Sequence, residues 1–124
     1  METQATGLLL CDDLIFTSRI IGTARDLGYA FNTARSTAAL KQLLETDRPV
    51  CLILDLANPD LVINDFMGSL RQFSDPTPRV IAYGSHVDTA TLKAARAAGC
   101  DKVLTRSQFV EELPVHLREW MTIG

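Results

Sequence analysis

Val50-Cys51-Leu52-Ile53-Leu54-Asp55 is an apolar run closed by a carboxylate. Pro49 precedes it, and Asn58-Pro59 follows and forces an extended or turn conformation. A short apolar run between turn signals reads as a strand buried on both faces, the kind found in parallel sheets. A similar run, Leu8-Leu9-Leu10-Cys11, ends in Asp12 and Asp13. Ligands of open parallel sheets sit outside the carboxyl ends of the strands. Two neighbouring strands would therefore deliver three carboxylates to one edge. Clustered like charges raise one another's pKa. A fold keeps such a cluster most easily where a divalent cation or a phosphoryl transfer uses it.

The rest of the chain fits one domain over residues 1–124, large enough for a single core. A hydrophobic share of 47% and a charged share of 22% are those of an ordinary globular protein. The net charge of -3, with both signs interspersed, argues against nucleic acid or an acidic membrane as partner. Cys11, Cys51 and Cys100 lack metal-ligand spacing and read as reduced thiols of a cytoplasmic protein. Met1-Glu2-Thr3-Gln4 is not the start of a signal peptide. No apolar stretch approaches the roughly 20 residues that span a bilayer.

Five strand candidates recur along the chain: Gly7–Cys11, Tyr29–Thr33, Val50–Leu54, Arg79–Tyr83 and Lys102–Leu104. Helical patterns follow them. Ile15–Leu27 carries Phe16, Ile20, Ala24 and Leu27 at helical spacing and stops at Gly28. Ser36 caps a helix bearing Leu40, Leu43 and Leu44. Another helix is expected near Asp65–Phe73, before a loop marked by Pro76 and Pro78. Asp88 caps Thr89–Ala98, which Gly99 ends. Its alanines, Ala94-Ala95 and Ala97-Ala98, suggest a closely packed face. The last helix is expected over Val110–Thr122, with Leu113, Leu117 and Met121 on one face. Pro114 is tolerable only near a helix start, so this helix should not begin much before Val110. On that reading Glu111 and Glu112 are favourable first-turn charges. Alternating strands and helices imply right-handed βαβ units and a parallel sheet. Five such units suit an α/β, flavodoxin-like (βα)5 fold, doubly wound, in order 2-1-3-4-5. Strands one and three are then neighbours, which places Asp12, Asp13 and Asp55 together.

These residues resemble the receiver domain of bacterial two-component response regulators over nearly the whole chain. Leu8–Asp13 is similar to the family's first strand and acidic pair, and Leu52-Ile53-Leu54-Asp55 to the strand ending in the phosphoacceptor. Pro59 stands four residues later, where the family has a proline. Arg79–Tyr83 resembles the fourth strand, and Ala97-Ala98-Gly99-Cys100-Asp101 the turn into the fifth. The resemblance implies a phosphorelay receiver that accepts a phosphoryl group on Asp55 with Mg²⁺ and is not itself an enzyme. Asp13 and Asp55 would be direct metal ligands, Asp12 a ligand through water, and the Ala57 carbonyl a third protein oxygen. The implied partners are a sensor histidine kinase or phosphotransfer protein and a downstream protein; separately, the face formed by the last two helices is a candidate homodimer or partner surface.

Three positions depart from the family pattern. Gly84 stands where a Thr or Ser hydroxyl is usual, and Ser85 beside it would point to the opposite face. Val103 replaces the aromatic switch residue. Arg106 replaces a lysine and is followed by Ser107 rather than proline. Arg106 is either a phosphate or carboxylate clamp or a salt-bridge partner that closes a cation-free site over Asp55. The alternative function is therefore a pseudo-receiver, an interaction module that is not phosphorylated. An enzyme is a distant third: Ala57 stands where an aspartyl-phosphate phosphatase wants a second acid, and no nucleotide phosphate loop is present. His86 reads as a surface loop residue. A Cys11–His86 nucleophile pair is disfavoured, because a cysteine in an apolar run is usually inert packing.

Overall fold

The structure, a computed structural model, describes residues 5–74 and 76–122. Met1–Gln4, where the chain start was read, lies outside them. Strands and helices alternate: β1 (Thr6–Leu10), α1 (Leu14–Asp26), β2 (Ala30–Ala34), α2 (Thr37–Thr46), β3 (Cys51–Asp55), α3 (Ile63–Phe73), β4 (Arg79–Gly84), α4 (Thr89–Ala97), β5 (Lys102–Thr105) and α5 (Arg106–Trp120). The five strands form one parallel sheet in the order β2-β1-β3-β4-β5. This is the expected doubly wound topology. No helix among the described residues is long and apolar enough to cross a membrane.

Side-chain alternation divides the core into two layers. On one face Leu8, Leu10, Leu52, Leu54 and Ala82 pack with Leu40, Met67, Leu70 and Leu92. On the other, Leu9, Cys11, Ile53, Ile81 and Tyr83 pack with Ile20, Phe109, Leu113, Leu117 and Trp120. Every residue of β3 is buried, so its near-continuous apolar run follows from having helices on both sides. Asp13, Ser36 and Asp88 cap α1, α2 and α4 through their side chains. Gly28 and Gly99 take φ values of 88° and 96° just past α1 and α4, where a side chain would be strained.

Most boundaries move by a residue or two from the expected ones, and α5 moves further. It begins at Arg106, not near Val110, and Pro114 lies well inside it. A capping box outweighs the proline. Thr105 Oγ1 accepts the Gln108 N–H at 3.2 Å, and Gln108 Oε1 accepts the Thr105 N–H at 3.0 Å. Phe109, fully buried, anchors the first turns. Pro114 is on the exposed face, so its ring meets solvent and the helix loses one backbone bond. Glu111 and Glu112 are consequently not in the first turn; Glu112 instead pairs with Lys102 at 2.7 Å. The α4 alanines are divided too: Ala95 and Ala98 are buried, while Ala97 is exposed.

Two of the free cysteines sit in settings that oppose ionisation. Burial pushes the Cys51 thiol up to about 12, against the lowering influence of Arg79. Burial likewise raises Cys100 to about 11. The unfolded chain releases these protons near the usual thiol value, while the fold keeps them to higher pH. Their contribution to stability is thus fully present below about pH 9 and is lost as pH rises towards the folded values.

Pro114→Ala should raise the unfolding free energy by about 1–3 kcal/mol, by restoring one helix bond on an exposed face. Urea unfolding followed by circular dichroism reads this directly, and no gain would mean that the local backbone is already relaxed around the proline. Repeating the unfolding from about pH 8 to about pH 11 should show stability falling with pH. That slope should be shallower in Cys51→Ala/Cys100→Ala; identical slopes would rule out the thiols as its source.

Candidate functional site

β3 ends between β1 and β4, and Asp55 is its last residue. Asp55 is only 3% exposed. Its Oδ1 accepts the Ala57 N–H at 2.9 Å, and its backbone carbonyl accepts the Asn58 N–H at 3.1 Å. Asn58 is buried as well: its Nδ2 donates to the Arg35 carbonyl at 3.0 Å, and its Oδ1 accepts the Asp60 N–H at 3.0 Å. These bonds hold the turn carrying Ala57 and Pro59 against the end of the sheet.

Asp12 and Asp13 lie at the same edge, and both are exposed. Asp13 is committed locally. Its Oδ1 accepts the N–H groups of Ile15 at 3.0 Å and Phe16 at 3.1 Å, closing the first turn of α1. Among the described residues no three His, Cys, Asp or Glu side chains are gathered closely enough to hold a metal ion. The topology therefore brings the three aspartates to one edge, and the capping bonds turn Asp13 towards its own helix. Of the three, Asp55 alone keeps a setting that a hard cation would relieve. Asp55 is a buried carboxylate, and the ion pairs among the described residues, Lys102–Glu112 and His116–Glu119, leave it without a positive partner. Burying a charge without compensation is costly, and an oxygen-seeking divalent ion would supply the compensation.

Two buried residues stand at this edge: Cys11, which the sequence placed there, and Tyr83, which it did not. The Tyr83 hydroxyl donates to Cys11 Sγ at 3.4 Å. The Cys11 thiol in turn faces two acceptors, Asp55 Oδ2 at 3.7 Å and the Asp13 carbonyl at 3.6 Å. Cys11 and Tyr83 are wholly buried. The Tyr83 hydroxyl is raised above its ordinary range by burial first, then by its bond to Cys11 and by the Asp55 carboxylate. It remains protonated and so remains a donor. The signal for Tyr83 lay in register: it is the β4 partner of Asp55 and shares its face of the sheet. Cys11 is thus bonded to Tyr83 and Asp55, while His86 is exposed and is not among its partners.

The three departing positions have definite places. Gly84 ends β4 and is buried; a Cβ there would lie 3.4 Å from Leu56 and from Leu92. Ser85 is exposed, and its hydroxyl accepts the Val87 N–H at 3.3 Å within its own turn. Val103 packs against the layer formed with α2, α3 and α4. Arg106 opens α5, is exposed, and sets its guanidinium 5.4 Å from the centre of the Phe16 ring. The salt bridge to Asp55 weighed for Arg106 is not formed. Arg106 instead lines an open groove of about 580 Å³ with Phe16, Arg19, His86 and Ser107.

No protein-family model and no curated protein matches the sequence. Solved structures do. A signal receiver domain of a response regulator from Bermanella marisrubri superposes with a TM-score of 0.83 at 23% identity, covering 97% of this chain and 100% of that one. The receiver domain of the Francisella response regulator 1452 gives 0.79 at 19% identity, over 95% and 97% of the two chains. A CheY-like response regulator receiver domain protein from Methanospirillum hungatei gives 0.76 at 15% identity, over 95% and 97%. With its strand order, the edge on which Asp55 stands and these neighbours, the chain has the fold of a response-regulator receiver domain.

Proposed function

We propose that this chain is a receiver that accepts a phosphoryl group on Asp55 with Mg²⁺ and transmits the change by protein contact. The observation that carries the reading is the setting of Asp55. It is a buried carboxylate without a positive partner, held by the Ala57 N–H at the carboxyl end of the central strand. In the step proposed, a carboxylate oxygen attacks phosphorus. The bond from phosphorus to the donor breaks, its electron pair leaves with the donor group, and that group takes up a proton. Bound Mg²⁺ would neutralise charge on the phosphoryl oxygens, held by Asp55, Asp13, the Ala57 carbonyl and, through water, Asp12. The Ala57 N–H orients Asp55 for that attack.

A histidine kinase or phosphotransfer protein is the expected donor. A downstream protein or a second copy, docking on α4 and α5, is the expected target. The chain is proposed to act in the cytoplasm, where its free thiols stay reduced, and to have no turnover chemistry of its own. A second reading, an interaction module that is never phosphorylated, is favoured by one specific arrangement. Gly84 offers no hydroxyl, Ser85 is engaged in its own turn, and Arg106 lies over Phe16.

Incubation with Mg²⁺ and a small acyl phosphate should leave a hydroxylamine-labile phosphate on the protein. Asp55→Asn should reduce the label to background, and a chelator should do the same. A wild-type chain that takes up no label under these conditions would leave the interaction module as the reading, and Asp55→Asn would then leave partner binding unchanged.

A further inference from the structure

We infer that the charge state of Asp55 is read through Cys11 and Tyr83 into a column of aromatic rings under α1 and α5, ending at Trp120. The inference deepens the reading above, since phosphorylation of Asp55 is the event that would turn its carboxylate into a neutral ester carbonyl and carry the charge out onto the phosphoryl oxygens. It answers a gap in that reading. On the α4 side of the sheet, Gly84 and Val103 provide neither a hydroxyl nor an aromatic ring to register a change at Asp55. The opposite side has both.

The connection is continuous. Asp55 Oδ2 faces the Cys11 thiol at 3.7 Å, and Cys11 Sγ accepts the Tyr83 hydroxyl at 3.4 Å. The Tyr83 ring stacks on Phe109 with centroids 4.6 Å apart, and Phe109 stacks on Trp120 at 6.0 Å. Phe16 closes the column from α1, 5.1 Å from Tyr83 and 6.1 Å from Phe109. Tyr83, Phe109 and Trp120 are 0%, 0% and 3% exposed. Close-packed rings do not move independently, because interiors of this kind pass displacement on.

The thiol is the element with two arrangements. Its proton has an acceptor in Asp55 Oδ2 and another in the Asp13 carbonyl. A carboxylate that keeps its charge favours the first, since hydrogen bonds to ionised acceptors are the stronger ones. Once the carboxyl oxygen facing Cys11 no longer carries charge, because the group has become an ester, the proton turns to the Asp13 carbonyl and the lone pairs of sulfur re-aim. A buried tyrosine hydroxyl is costly to leave without an acceptor. Tyr83 therefore follows the sulfur, and the stacked rings follow Tyr83. Cys11 and Tyr83 are positioning residues in this scheme: neither reacts with phosphorus.

Trp120 is the single tryptophan of the chain, so its emission reports the far end of the column without ambiguity. The experiment compares tryptophan emission of the full chain and its variants at one fixed pH, because His116 also stacks on Trp120. Asp55→Asn supplies the loss of charge without a phosphodonor. The Ala57 N–H keeps the amide oxygen in the Oδ1 place, which sets the amide nitrogen, a donor, against Cys11.

Asp55→Asn should shift Trp120 emission relative to the wild type. The same shift should vanish when Asp55→Asn is combined with Tyr83→Phe or Cys11→Ala, and should return with Cys11→Ser, which restores a donor and acceptor. Val103→Ala, on the other face, should leave the shift intact. The inference is overturned if Asp55→Asn leaves the emission unchanged, if the shift survives Tyr83→Phe and Cys11→Ala, or if Val103→Ala removes it. Circular dichroism confirms that each variant is folded before its emission is compared. Phosphate labelling fails or succeeds independently of this series. A shift without any labelling removes the phosphorylation reading and leaves the aromatic route standing.

Discussion

A carboxylate kept out of water needs a reason, and Asp55 has one only at the end of β3. The strand is buried along its whole length because helices cover both faces of the sheet, so its last residue inherits that burial. The Ala57 N–H and the Cys11 thiol are the groups that meet its two oxygens. Neither is a cation. Hydrogen bonds of this kind orient a carboxylate, but they return only part of the desolvation cost of a buried charge. A positive group approaching Asp55 would supply the compensation that these two bonds do not.

The fold was legible because its signals are local and repeat. The apolar runs at Leu8–Leu10 and Cys51–Leu54 have the length and composition of buried parallel strands, and Ser36 and Asp88 announce their helices. The order of strands came from matching five alternating units in a chain of this length to the shorter of the known doubly wound topologies. The start of α5 was misjudged because one strong rule, the exclusion of proline from helix interiors, was applied without its competitor. The Thr105–Gln108 box and the burial of Phe109 fix the helix four residues earlier than the proline permits on its own.

The site was legible in outline and not in detail. Sequence order put three aspartates at one edge; it was silent on where their oxygens point. Asp13 serves both as an acid near the site and as the cap of α1, and cap geometry won in this structure. Asp and Ser are favoured at caps for the same reason that they bind ions: short side chains with accepting oxygens. No residue type distinguishes the two roles. Tyr83 was missed for a related reason. Read along β4 it is one more apolar strand residue; only the register with β3 shows that its hydroxyl belongs to the neighbourhood of Asp55.

The early start of α5 matters beyond its own stability. It places Arg106 and Phe109 on one continuous helix, so α5 contributes both to the groove at the edge and to the ring column beneath it. Had the helix begun at Val110, Arg106 would stand in a loop, free to swing towards Asp55. Capped at Thr105, it rests on Phe16, the same ring that flanks Tyr83 and Phe109. At the far end Arg79 donates to the Glu119 and Trp120 carbonyls at 2.6 and 2.8 Å, and Lys102 lies 5.7 Å from the Trp120 ring. The helix is thus tied to the sheet at both ends, by a capping box at β5 and by basic side chains of β4 and β5. In the inferred route, a displacement of Tyr83 would meet a helix bonded at both ends. The inferred route therefore ends on α5, the helix that it shares with the docking face proposed on α4 and α5.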